Sequence, residues 1–119
     1  MTDGLTINEA AQTTGWSARM LRYIESAGLV SPSRSASGYR LYGAGELQRL
    51  ATLRELLDRY EVGLSDIAFA RRLDSDAALR VDVEEWLAAA PQRPADVEPG
   101  EWLSFEQMRH QRLIAVAGA

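Results

Sequence analysis

At 119 residues, 46% apolar and 25% charged, the chain is bounded to one compact domain or a small domain with an appendage. It holds no cysteine and one histidine, His110, which excludes disulfides, thiolate metal sites and thiol redox sensing and leaves a poor metal site. The net charge of −4 is unevenly spread: residues 1–73 balance at +1, residues 74–119 at −5, and the window 16–43 holds Arg19, Arg22, Arg34 and Arg40 against the single acid Glu25.

Thr6-Ile7-Asn8-Glu9 reads as a capping box opening a helix over about 7–13, with Ile7, Ala10 and Ala11 inward. Thr14-Gly15-Trp16 is a tight turn, and Ser17 caps a second helix over about 18–27. Its apolar positions Met20, Leu21, Ile24 and Ala27 recur at helical spacing, and Gly28 is the stop. Two short helices joined by a glycine-containing turn form a helix-turn-helix. Residues 29–32 and 39–42 read as the two strands of a hairpin, a wing, around the polar tip Ser33 to Gly38. A third helix over about 45–60 carries the stripe Leu47, Leu50, Leu53, Leu56 and Leu57.

Ser65 caps a fourth helix over about 66–73, with Ile67, Ala68 and Leu73 inward. In a fifth, over about 76–90, Leu79, Val83, Trp86 and Ala90 step as a coiled-coil seam would, suggesting a dimer interface. Pro91 to Pro99 is a linker or ordered loop. Ser104 and Gln107 read as a capping box, with Leu103 and Met108 as a hydrophobic staple, for a last helix over about 105–117. The fold class expected is mainly α: a winged helix-turn-helix over 1–73, followed by C-terminal helices over 74–119 for dimerisation or packing.

A recognition helix buries one side and exposes polar and basic groups on the other. Ser17, Arg19, Arg22 and Tyr23 lie opposite the Met20, Leu21 and Ile24 stripe. The first turn faces base edges, so Ser17, Ala18 and Arg19 are candidate base neighbours, with Arg22 and Tyr23 placed for phosphate. In the wing, Arg34, Tyr39, Arg40 and Tyr42 supply two guanidiniums and two hydroxyls that can donate to phosphate oxygens; the alternative is a surface hairpin with one tyrosine, Tyr39 or Tyr42, in the core. Arginine is the chain's only basic residue type, which a GC-rich genome also explains.

The run Thr14-Gly15-Trp16-Ser17-Ala18-Arg19-Met20-Leu21-Arg22-Tyr23-Ile24-Glu25, then Gly28-Leu29-Val30, then Gly38-Tyr39-Arg40-Leu41-Tyr42, then Gly63-Leu64-Ser65-Asp66-Ile67, resembles the MerR family of transcription regulators over about residues 5–73. The resemblance implies DNA binding through Ser17, Arg19, Arg22, Tyr23, Tyr39, Arg40 and Tyr42. It also implies a homodimer on double-stranded promoter DNA, and RNA polymerase as a further partner. The chain departs from the family pattern at Trp16 in the turn, at Ile24 in place of a second tyrosine, and in a fifth helix short for the family's dimer coil. Two alternatives share the fold: an excisionase-like architectural factor on direct repeats, and a protein-binding adaptor.

The last third is too small for a large effector domain, and no feature supports a small-molecule effector or a cofactor. Trp86, Trp102 and Phe105 either line a small apolar pocket or, as expected here, staple the last helix to the fifth helix or to a partner chain. Glu106 and His110, one turn apart, read as a surface pair. Carboxylates such as Glu84 and Glu85 have no accompanying nucleophile or phosphate loop, so no enzyme is expected. No run approaches the roughly 18 apolar residues of a membrane helix, and Met1 to Gly4 lacks a signal-peptide pattern. A soluble cytoplasmic protein without a membrane partner is the expectation.

Overall fold

The structure is a computed structural model and describes residues 4–63 and 65–117. Helix α1 (Ile7–Thr14) opens on the expected capping box: Thr6 N donates to Glu9 Oε1 at 2.9 Å, and Glu9 N to Thr6 Oγ1 at 3.2 Å. It stops at Gly15, whose φ of +76° only glycine adopts without strain. Helix α2 (Ala18–Ser26) follows after the turn, capped by Ser17 Oγ on Met20 N. Met20, Leu21 and Ile24 are buried, as is Trp16 of the turn.

The hairpin is shorter than expected and begins later. Strand β1 is Ser33–Arg34, not residues 29–32, and it pairs antiparallel with β2 (Arg40–Leu41), Ser33 opposite Leu41 and Arg34 opposite Arg40. Leu29, Val30 and Pro32 are buried, so the chain dips into the core before it turns outward to pair. Beyond β2, Tyr42 and Leu5 exchange two 2.8 Å backbone hydrogen bonds that tie the segment before α1 to the wing.

Helix α3 (Ala44–Arg59) is the central element, with Leu47, Leu50, Leu53, Leu56 and Leu57 all buried. Helix α4 (Asp66–Ser75) is capped by Ser65, as expected, but its inward residue is Phe69. Ile67, expected inward, is exposed. Two residues apart on a helix is a rotation of about 200°, so Ile67 and Phe69 cannot both face the core, and the larger apolar ring takes it.

Helix α5 (Ala77–Ala88) begins one residue later than expected, because Asp76 is its N-cap and accepts from Leu79 N at 3.1 Å. The expected seam is spent inside the chain. Leu79 is fully buried and Val83 nearly so, both in the core cluster that runs from Leu5 to Val83. Trp86 lies on α3, donating to Thr52 Oγ1 at 2.8 Å under the Arg49 guanidinium, and Ala90 is exposed beyond the helix end. Leu79 and Val83 therefore pack into this chain's own core and Trp86 against its α3, while Ala90 stays open to solvent.

Helix α6 (Trp102–Ala117) grows directly from a 3₁₀ turn at Pro99–Glu101. Ser104 consequently sits inside the helix and is no cap, and Met108 is exposed and staples nothing. The helix packs chiefly on α3 and α1, not on α5. Its inner face carries Glu106 and His110, both fully buried and so not the surface pair expected. His110 Nε2 meets Leu47 O at 2.7 Å; Glu106 accepts from Trp102 Nε1 at 2.8 Å and stands 2.7 Å from Arg109 Nε.

Truncating Leu79 to alanine should cost about 2–5 kcal/mol of stability, since the cavity opens in the core of the chain; denaturant melts of the two proteins at one concentration check this. Burial pushes the His110 imidazole below its ordinary range, against the Leu47 carbonyl and with help from Arg54 and Arg109. The unfolded chain then binds a proton that the folded one refuses. Stability should be full above about pH 6.5 and decline as the pH falls below it. His110→Gln should flatten that decline between about pH 6.5 and 5 in thermal melts.

Candidate nucleic-acid interface

Burial of the inner stripe of α2 leaves its other side to solvent, and the expected site residues separate into three groups. The first lies on α2. Ser17 uses its hydroxyl as the helix cap, and Ala18 opens the helix half-buried. Arg19 is 74% exposed and pairs through Nε with Asp66 at the start of α4, 3.1 Å away. Arg22 is exposed, with no ion pair among the described residues. Tyr23 is half-buried, its ring edge-on to Phe69 at 5.9 Å between centroids. Burial, with Asp74 and Asp66 nearby, raises its phenol above the usual range, so Tyr23 is a hydrogen-bond donor at neutral pH.

The second group is the wing. Tyr39 stands 73% exposed at the end of the turn. Arg34 and Arg40 flank it on the paired strands, and both reach back to α2, where Glu25 receives Arg34 Nη2 at 3.0 Å and Arg40 Nε at 2.7 Å. Arg34 also donates to Gly38 O, bracing the turn. A cleft of about 440 Å³ opens between the start of α1, α2 and the wing, and Arg22, Arg34, Tyr39 and Arg40 all line it. The fold thus gathers four of the expected residues into one basic concavity, with Arg19 farther along α2.

The third group is Tyr42 alone. Named as a candidate phosphate donor, with a core role as the alternative, it is 1% exposed and belongs to the core, its hydroxyl without a hydrogen-bond partner. The double hydrogen bond to Leu5 holds the residue at the edge of the core. Burial is the main reason its phenol is raised. Tyr42 is therefore removed from the contact surface.

Sequence reasoning did not foresee the carboxylates. Glu25 was visible as the one acid in a basic window, but nothing in the chain's order brings it to Arg34 and Arg40. Asp66 lies 47 positions from Arg19 and gave no signal. Away from this surface, an open groove of about 620 Å³ between α3 and α5 is edged by Glu55, Arg59, Asp82, Glu85 and Trp86. Trp102 and Phe105 do not line it.

A helix pair with a glycine turn, an exposed basic second helix and a paired hairpin beside it define a winged helix-turn-helix protein. The profile of the MerR helix-turn-helix family of regulatory proteins matches residues 5–68, and the chain belongs to that family. It is 42% identical over 55 residues to the HTH-type transcriptional regulator HmrR of Sinorhizobium medicae, covering 45% of this chain and 37% of the relative. Over 55 residues it is 46% identical to an uncharacterized HTH-type transcriptional regulator of Pseudomonas aeruginosa, covering 45% of this chain and 42% of the relative. A longer match, 30% identical over 95 residues, covers 64% of the chain and 74% of the HmrR regulator of Rhizobium leguminosarum bv. viciae. The matched stretch thus spans about two fifths of the length of the first two relatives. No solved structure matches the chain. Among the described residues, no helix is long and apolar enough to cross a membrane.

Because the Tyr42 hydroxyl is buried without a partner, Tyr42→Phe should leave the thermal midpoint unchanged or raise it, the desolvation cost of the hydroxyl being removed with it. A drop in the midpoint, read by differential scanning calorimetry, would count against this placement.

Proposed function

We propose that this chain is a transcription regulator that binds double-stranded DNA, with α2 in the major groove and the β1–β2 hairpin on the flanking phosphates. The observation that carries the reading is the convergence of Arg22, Arg34, Tyr39 and Arg40 on one cleft beside the exposed side of α2. Arginine forks match phosphate oxygens two at a time, and side chains held on a short helix and a hairpin approach the backbone from two directions. Glu25 does not block this. Partly exposed ion pairs of this kind are worth about 1 kcal/mol or less, so a phosphate can displace the carboxylate at little cost.

Family membership further favours a homodimer on an inverted repeat, working in the cytoplasm at a promoter where RNA polymerase is a second partner, and without an enzymatic step. The pairing surface in this reading lies elsewhere than Leu79 and Val83, which the core already uses. Heavy-metal dependence, which some relatives carry in their names, is not part of the proposal, since these 119 residues offer no thiolate.

The test is binding of labelled duplex by fluorescence anisotropy across a salt series. The wild type should lose affinity steeply with salt. Arg22→Ala and Arg40→Ala should each weaken binding to every sequence alike and shallow the log–log salt slope by about 0.9. Wild-type affinity that is absent at low salt, or indifferent to both substitutions, would refute the reading.

A further inference from the structure

Helix α4 does more than close the core, since two of its residues touch α2 on successive turns. Phe69 meets Tyr23 edge-on, and Asp66 Oδ2 accepts from Arg19 Nε at 3.1 Å. The carboxylate is the fixed partner. Its side chain is 21% exposed against 74% for Arg19, and it stands in the first turn of α4, where the helix dipole favours a carboxylate. The bond runs through Nε, and that choice of atom matters. A guanidinium carries five N–H donors in one rigid plane. With Nε held by Asp66, the two Nη groups have no hydrogen-bond partner among the described residues, and together they form the end-on edge of the fork.

A flat pair of donors at a set angle matches guanine O6 and N7, two adjacent acceptors that only guanine presents in the major groove. A phosphate accepts the same fork but makes no demand on its angle, and the first turn of a recognition helix faces base edges. Arg19 is the second residue of α2. Holding it in the free protein removes beforehand some of the rotamer freedom that binding would otherwise take away.

We propose that Asp66 is a positioning residue that aims Arg19 at a guanine in the major groove and so sets one base pair of the recognised sequence. The inference rests on the DNA-binding reading above. The full chain first selects its site from a random duplex pool, and each single-base variant of that site is then titrated at fixed salt. The wild type should prefer guanine at one position of each half-site by about 5- to 150-fold. Arg19→Ala and Asp66→Asn should both flatten the preference at that same position more than they change affinity for the other sequences, and Asp66→Glu should restore part of the preference. Replacing that guanine by 7-deazaguanine, which lacks N7, should weaken the wild type and leave Asp66→Asn unaffected.

Ser65 caps α4 independently of Asp66, so the helix should survive the change. Asp66→Ser serves as the second neutral variant, with circular dichroism confirming the fold of each. A guanine preference that persists in the folded neutral variants overturns the proposal. So does a uniform gain of affinity for all sequences, which would make Asp66 a mere competitor of phosphate. A uniform loss in Arg19→Ala with a shallower salt slope would assign Arg19 to phosphate instead. If the wild type selects no sequence at all, the DNA-binding reading falls and takes this inference with it, a result distinct from any of these.

Discussion

Met20, Leu21 and Ile24 lie on one side of α2 and share a single apolar core with Leu47, Leu50 and Leu53 of α3. Each such burial is worth about 1.5–3 kcal/mol, whereas a nine-residue helix has almost no stability of its own in water. Burial of this stripe therefore sets the rotation of α2 about its axis, and with it the residues left outside. Arg54 fixes the approach to that helix. It is buried, donates to the Thr14 carbonyl at the end of α1, and stacks 5.0 Å over the Trp16 ring. The turn between α1 and α2 is thus held from below by α3.

On that frame the outward arginines are not loose. Arg19 is tied to Asp66, and Arg34 and Arg40 share Glu25. These pairs are too exposed to add much stability. Their consequence is geometric: they draw the wing against α2 and hold guanidiniums in defined places before any ligand arrives. Arg22 lines the cleft and makes no ion pair among the described residues. A surface whose cations are partly answered by its own acids binds phosphate more weakly than a bare basic patch does.

The C-terminal helices complete the core. α5 buries Leu79 and Val83, and α6 covers α3 and α1 and encloses Glu106 and His110, polar groups where an apolar pair would be expected. Gln48 of α3 bridges this layer, bonding the backbone of Gln92 through both amide atoms and reaching toward Glu106. A buried polar layer gives one preferred docking of α6, since sliding it by a turn would leave those groups without partners.

The chain's order alone determined the local features. The capping residues Thr6, Ser17 and Ser65, the turn at Gly15, the stop at Gly28 and the apolar stripes of α2 and α3 each depend on neighbours within a few positions, and each was legible as such. The same locality made Arg19, Arg22, Arg34, Tyr39 and Arg40 recognisable as candidates. What tertiary structure decided was whatever depends on distant partners. It placed Tyr42 in the core, chose Phe69 over Ile67, spent Leu79 and Val83 on the chain's own core, buried Glu106 with His110, and brought Asp66 to Arg19 and Glu25 to the wing. A helical period says only that a face is apolar, not which surface will cover it, and a single carboxylate gives no sign of the cation it will meet until the chain has closed.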